Sequence, residues 1–204
     1  ARFFNQEFEI GCDLQVVPMR HWKREMVFDD TGLLWTPPSP HVPQSTTPFY
    51  QACTGAIGEL STVHIGVGYT LPFHMAAAEW MNGEELCAGL NDLHLPGIRF
   101  RSAVYSPFYG GFVGKTLRGV QLYIIDAAAV QPVRTQIAIL HTLCRLYPDH
   151  NLFVADRLEM FRNAMGTDRI DLAIRHGDDL QNVLAYMMQM LPEFKAKRQK
   201  YLLY

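Results

Sequence analysis

Apolar and polar positions follow three patterns along this chain, and each predicts a different kind of element. Leu117 to Asp126 reads Leu-Arg-Gly-Val-Gln-Leu-Tyr-Ile-Ile-Asp, where β-branched and aromatic residues concentrate, so it is the strongest strand candidate and belongs at the centre of a sheet. Ile98 to Tyr105 alternates apolar residues with Arg99 and Arg101, as a strand with one wet face does. Leu14 to Met19 is β-rich and interrupted by Pro18, which predicts a short strand leading into a loop.

The helical period appears elsewhere. Asn82 is a cap, Glu84 and Glu85 suit a first turn, and apolar residues follow at helical spacing until Pro96-Gly97. Pro132 sits where a first turn tolerates it, and Val133, Ile137, Leu140 and Cys144 then repeat on one face until Pro148. The last third predicts helices from Asp156 to Ala164, from Thr167 to His176, and from Asp178 to about Leu191, with Pro192 opening a final segment. Tyr186, Met187, Met190 and Leu191 read as a core-packing face. The fold class is therefore α/β or α+β: a mixed β-sheet packed with helices, and a helical C-terminal part.

The third pattern is the absence of a period. Trp35 to Phe73 is a long loop region rich in proline and glycine, with short strands expected only around Cys53–Ile57 and Val63–Val67. Fixed φ angles and open glycine backbones make such a stretch a functional rim, and it is long for filler.

Composition narrows the function classes. With 204 residues, 49% of them hydrophobic and 19% charged, and a formal net charge of −2, the chain is an ordinary globular one that shows no nucleic-acid signature. The basic run Lys195 to Lys200 suits a solvated helix end. Cys12, Cys53, Cys87 and Cys144 lie too far apart for a zinc or redox motif, and the default is a set of buried free thiols. No stretch is long and apolar enough to span a membrane, and Ala1 to Phe8 has neither the basic nor the apolar region of a signal peptide. It looks like the middle of an amphipathic helix, so residues are expected to precede it.

Within the rim, Glu59 is suited to general acid or base duty if partly desolvated, although a lone glutamate is more often a solvated or loop-bracing group. Glycoside hydrolysis ordinarily uses two carboxyl groups, and Asp29, Asp30 and Glu79 show no spacing that identifies a partner. His41 and His64 suit ligand binding or a bond to nearby backbone. The remaining histidines form no metal set, and Gly66-x-Gly68 lacks the helix and third glycine of a dinucleotide site, so no metal or cofactor is expected. Trp35, Tyr50, Tyr69, Phe73, Trp80, Tyr105, Phe108 and Tyr109 permit a carbohydrate cleft, because sugar C–H faces stack on rings, and are equally consistent with packing.

Trp-Thr-Pro-Pro-Ser-Pro-His-Val-Pro at 35–43, Glu59, Gly-Val-Gly-Tyr-Thr-Leu-Pro-Phe at 66–73 and Lys-Tyr-Leu-Leu-Tyr at 200–204, in that order, resemble the NamZ exo-β-N-acetylmuramidases. Leu-Pro-Gly-Ile-Arg-Phe-Arg at 95–101, Gly-Val-Gln-Leu at 119–122 and Leu-Tyr-Pro at 146–148 fit the same pattern, so the resemblance runs along nearly the whole chain. It implies a periplasmic or secreted enzyme that removes N-acetylmuramic acid from the non-reducing ends of peptidoglycan fragments. Residues 1–204 then correspond to a single C-terminal domain whose partner, a Rossmann-like N-terminal domain, is absent from this chain. Glu59 becomes the candidate catalytic residue, and Ser39, His41, His64, Gly66, Gly68 and Tyr69 the candidate substrate-binding residues.

Two positions depart from the family pattern: Val67 stands where an arginine is common, and His74 where a glutamate is common. The arginine would have suited a carboxylate such as the lactyl group of muramic acid. Alternatives are a non-catalytic carbohydrate or cell-wall binding module, and a protein-interaction domain whose apolar surface another chain covers.

Overall fold

The computed structural model describes residues 1–204. Its helices are α1 (Arg2–Glu7), α2 (Thr47–Glu59), α3 (Gly83–Asn91), α4 (Pro132–Leu146), α5 (Ala155–Met165), α6 (Arg169–His176), α7 (Leu180–Met188) and α8 (Leu191–Arg198). Its strands are β1 (Met75–Ala78), β2 (Ile98–Tyr105) and β3 (Leu117–Ile124). Two compact units divide the chain: Trp35–Tyr186, and Ala1–Leu34 together with Met187–Tyr204.

In the larger unit the sheet order is β1-β3-β2, antiparallel throughout, so β3 is central as its composition predicts. Helix α3 begins where Asn82 accepts bonds from the Glu84 and Glu85 amides and packs on β2 and β3. Helix α4 buries Ile137, Ile139, Leu140 and Leu143, each worth about 1.5–3 kcal/mol removed from water. Helices α5 and α6 both close on left-handed glycines, Gly166 and Gly177, as their sequences predict. Strands and helices mix in one fold, and the C-terminal part is helical.

The rim holds more regular structure than its sequence suggests. Cys53–Ile57, expected as strand, lies within α2, which makes Glu59 the last helical residue and not a loop residue. Cys53, Ala56, Ile57 and Leu60 are buried at helical spacing, and Gly58 leaves room for the end of the Ile65 side chain, which a Cβ there would displace. Packing of α2 on α4 therefore overrides the poor helix propensity of Gly55 and Gly58. Strand β1, Met-Ala-Ala-Ala, was not legible as a strand; it is buried along its whole length and takes its form from pairing with β3, Ala77 opposite Gly119.

Helix α7 stops at Met188, earlier than expected, because Pro192 lacks the N–H that would continue the ladder and instead fits the first turn of α8. Tyr186 and Met190 are exposed while Met187 and Leu191 are half-buried, so the predicted Met-rich face is not core.

The smaller unit has no strand at 14–19: Val17 is 92% exposed, no neighbouring strand pairs with the segment, and the Met19 amide donates to the Tyr204 hydroxyl at 2.5 Å. Phe3 of α1 sits among the rings of Phe4, Phe8, Phe194 and Tyr201, with centroids 5.3–6.2 Å away. Glu7 accepts from Tyr201 and pairs with Lys197 and Lys200 at 2.9 Å each.

Candidate functional site

The segment between α2 and β1 turns twice on glycine. Gly66 (φ +93) and Gly68 (φ +105) adopt backbone angles that other residues rarely take, and a Cβ on either would overlap a carbonyl oxygen, that of Leu71 or Tyr109. The Tyr69 amide closes the first turn by donating to the Gly66 carbonyl at 3.0 Å. The Gly68 carbonyl then receives the Phe108 amide at 2.9 Å and ties the rim to the β2–β3 loop. Both glycines are thus backbone seats for neighbouring loops, and their side-chain-free surfaces are buried.

His64 organises this corner. Its backbone exchanges two hydrogen bonds with Ala77, 2.8 and 3.0 Å, which extends the edge of β1 by one bridge. The residue is 5% exposed and its Nε2 lies 2.8 Å from the Val67 carbonyl oxygen, which can only accept, so Nε2 carries the proton. Nδ1 is then the acceptor for the Tyr105 hydroxyl at 2.6 Å and the Gly66 amide at 3.2 Å. Burial holds the imidazole below its ordinary pKa, against the pull of the Val67 carbonyl. The neutral ring is therefore a fixed structural hub, with Phe112 edge-on at 5.2 Å.

The other candidates attach to this hub to different degrees. Tyr69 packs its ring against Tyr105 at 4.4 Å and Phe108 at 6.4 Å, and is half-buried. His41 stacks on Tyr109 at 6.0 Å and 18°, and its amide donates to Ser39 Oγ at 3.3 Å. Tyr105, Tyr109 and Phe108, already named among the ring candidates, thereby join Ser39, His41, His64, Gly68 and Tyr69 into one packed cluster, with His64, Gly68 and Tyr105 buried inside it. Glu59 is half-buried at the end of α2 and takes part in none of the ion pairs.

The two family departures also have definite places. Val67 offers its backbone carbonyl to His64. His74 is 7% exposed, lies flat on Tyr50 with centroids 3.6 Å apart, and donates from Nδ1 to the Pro72 carbonyl at 2.8 Å. Burial lowers its pKa too.

No cluster of three or more His, Cys, Asp or Glu side chains is arranged to hold a metal ion. The four cysteines are unpaired; burial pushes the Cys53 thiol up to about 12 and Cys144 to about 11, so neither is a nucleophile at neutral pH. No helix is long and apolar enough to cross a membrane.

A family profile described as exo-beta-N-acetylmuramidase NamZ, C-terminal, matches residues 50–204, and its N-terminal counterpart matches residues 1–46. The chain is 37% identical over its full length to the peptidoglycan beta-N-acetylmuramidase NamZ of Bacillus subtilis (strain 168), covering 49% of that protein. Among solved structures, a DUF1343 family protein from Bacteroides fragilis superposes with a TM-score of 0.93 at 36% identity, over the whole of this chain and 54% of the other. The chain thus spans about half the length of the relatives it matches. With a profile match over most of its residues and an aligned relative at this identity, the chain belongs to the exo-β-N-acetylmuramidase NamZ family.

Proposed function

We propose that this chain is the substrate-binding half of a peptidoglycan-degrading exo-β-N-acetylmuramidase, a glycoside hydrolase that releases N-acetylmuramic acid from non-reducing ends in the periplasm or outside the cell. The observation that carries the reading is the cluster in which partly exposed Ser39, His41 and Tyr69 are held around buried Gly68 and the His64 hub, in a chain whose relative acts on peptidoglycan. Rings with locked geometry beside backbone and hydroxyl groups suit a sugar, whose C–H face stacks while its hydroxyls take polar partners. Glu59 is the acid/base candidate, and the second carboxyl group that such chemistry uses comes from the preceding Rossmann-like domain.

The test is hydrolysis of a chromogenic N-acetylmuramic acid glycoside by the full-length protein. Glu59→Gln is expected to lower kcat by at least ~10²-fold, the lower end of what general acid or base catalysis contributes. Undiminished turnover removes Glu59 from the chemistry, and a wild-type protein without turnover removes the enzymatic reading. His74, buried and neutral where a glutamate is common in the family, favours a second reading as a cell-wall binding module. Binding to peptidoglycan fragments without hydrolysis is its signature.

A further inference from the structure

A concave site is lined by Phe112 together with residues of four separate connections. Four separate connections converge on it: the turn after α2 through Thr62, the end of β1 through Glu79 and Trp80, the β2–β3 loop through Lys115, and the α4–α5 loop through Asp149 to Asn151. Loops that converge from a rigid sheet and its helices are where binding groups gather. The cleft encloses about 360 Å³, at the small end of ligand sites and suited to one sugar ring.

Its walls are built in advance. The Trp80 ring stacks on His150 with centroids 4.2 Å apart and 11° between planes, and Tyr147 meets it edge-on at 5.1 Å. The Tyr147 hydroxyl is in turn fixed by the Asn82 amide and carbonyl, each at 3.0 Å. The platform is therefore flat and held, and a ligand that docks on it orders few side chains. Thr62 donates to the Leu152 carbonyl at 3.1 Å and pins the turn after α2 to the α4–α5 loop.

Charge decides the ligand class. Lys115 pairs with Glu79 at 2.6 Å and Asp149 adds a second carboxylate to the lining, so the cleft disfavours a phosphate or carboxylate ligand. What faces the platform is a set of hydrogen-bonding groups: the Lys115–Glu79 pair, Asp149 and Asn151. An aromatic platform ringed by an ion pair, the Asp149 carboxylate and the Asn151 amide repels anions and offers hydrogen bonds to an uncharged N-acetylated pyranose, with its C–H face on the rings and its hydroxyl and acetamido groups on the rim. We infer that this cleft is a saccharide subsite that holds an uncharged N-acetylhexosamine unit, with the Trp80–His150 stack as its platform.

Phe112 meets His64 edge-on at 5.2 Å and also lines the cleft. Its position makes the cleft a neighbour of the rim, and only the identification of the bound unit as part of a cell-wall glycan rests on the proposed function.

The probe is chitotetraose, an uncharged oligomer of N-acetylglucosamine, titrated into the full-length protein by calorimetry and by amide NMR shifts. Saturable binding is expected, with shifts at Trp80, Lys115 and Asn151. Trp80→Ala should weaken it at least tenfold. Because that variant loses packing against Tyr147, Lys115→Glu at an exposed position is the control: it keeps the thermal midpoint and should weaken binding several-fold by setting two carboxylates side by side. Wild-type protein that does not bind, or both variants binding like wild type, overturns the inference. Hydrolysis of the chromogenic muramic acid glycoside is read separately: its absence counts against the proposed function alone, while its presence with unaltered chitotetraose binding in both variants counts against the subsite alone.

Discussion

The Tyr105 hydroxyl donates to His64 Nδ1 at 2.6 Å across 41 residues of sequence, and this bond joins the end of β2 to the rim. Because Nδ1 also receives the Gly66 amide, Tyr105→Phe leaves the acceptor satisfied and keeps the ring contact with Tyr69. The expected loss is about 0.5–1.5 kcal/mol, that of one hydrogen bond. His64→Ala instead strands the Val67 carbonyl, the Gly66 amide and the Tyr105 hydroxyl together, at about 1–3 kcal/mol for each group that water cannot reach. Urea unfolding should rank the two variants in that order; equal losses would mean that the hub is not cooperative.

His64 and His74 give the fold a pH dependence of defined sign. Burial lowers both folded-state pKa values below the ordinary 6.5, so as pH falls through that value the unfolded chain takes up protons that the folded chain refuses. Stability is expected to fall from pH 7.5 toward pH 5. His74→Phe keeps a ring on Tyr50 and removes one titrating group, and should flatten the slope of thermal midpoint against pH in that window. A slope unchanged in the variant would exclude His74 as a source.

How far the fold could be read beforehand depended on whether side chains or partners decide each element. Strands β2 and β3 and helix α3 state themselves in β-branched runs and in the Asn82 cap. Helix α2 carries Gly55 and Gly58, and β1 is three alanines after a methionine, so neither declares its state locally; contact with α4 and Ile65 sets the first, and pairing with β3 the second. The glycine turns at Gly66 and Gly68 were legible because only one residue type fits them. Tyr105 and Tyr109 were legible as candidate rings, but the hub was not, since they reach His64 and His41 through tertiary packing, Tyr105 from the end of β2. Trp80 was named among the candidate rings, but its cleft was not legible, because the lining residues come from four distant segments.

Strand β2 lies at the edge of the sheet, and its middle is closed by a side chain. The Asn91 amide accepts from the Phe100 N–H at 3.1 Å and donates to the Phe100 carbonyl at 2.9 Å, as a neighbouring strand would. Asn91→Ala should cost about 1–3 kcal/mol for the groups left unpaired and open the edge to other chains. Urea unfolding and light scattering on heating test both parts; unchanged values would show that water serves Phe100 equally well.

Asp171 is fully buried, and its carboxylate takes a two-pronged bond from Arg162, 2.8 Å on each oxygen, and a third from Arg175 at 2.8 Å. It ties α5 to α6 where neither helix is long. Asp171→Ala should destabilise the protein by roughly 1.5–3 kcal/mol, the range for bonds to a charged group, since both arginines reach water and can rehydrate. A loss measured by calorimetry well above that range would mean that the arginines remain trapped without a counter-charge.

In the smaller unit, Glu7 ties α1 to the C-terminal helix through Lys200, Tyr201 and Lys197, and these bonds, Lys200 first, lower its pKa from 4.5 to about 2. A carboxylate with a depressed folded-state pKa stabilises the fold in full above its unfolded value and loses that contribution as pH falls through the folded one. The contribution is therefore complete above about pH 4.5 and gone near pH 2. Glu7→Gln removes it at every pH, so wild type and variant should differ in thermal midpoint at pH 6 and converge toward pH 2, with added salt at pH 6 narrowing the gap because Lys197 and Lys200 are about half exposed. A gap that stays constant with pH would assign the role of Glu7 to shape and not to charge.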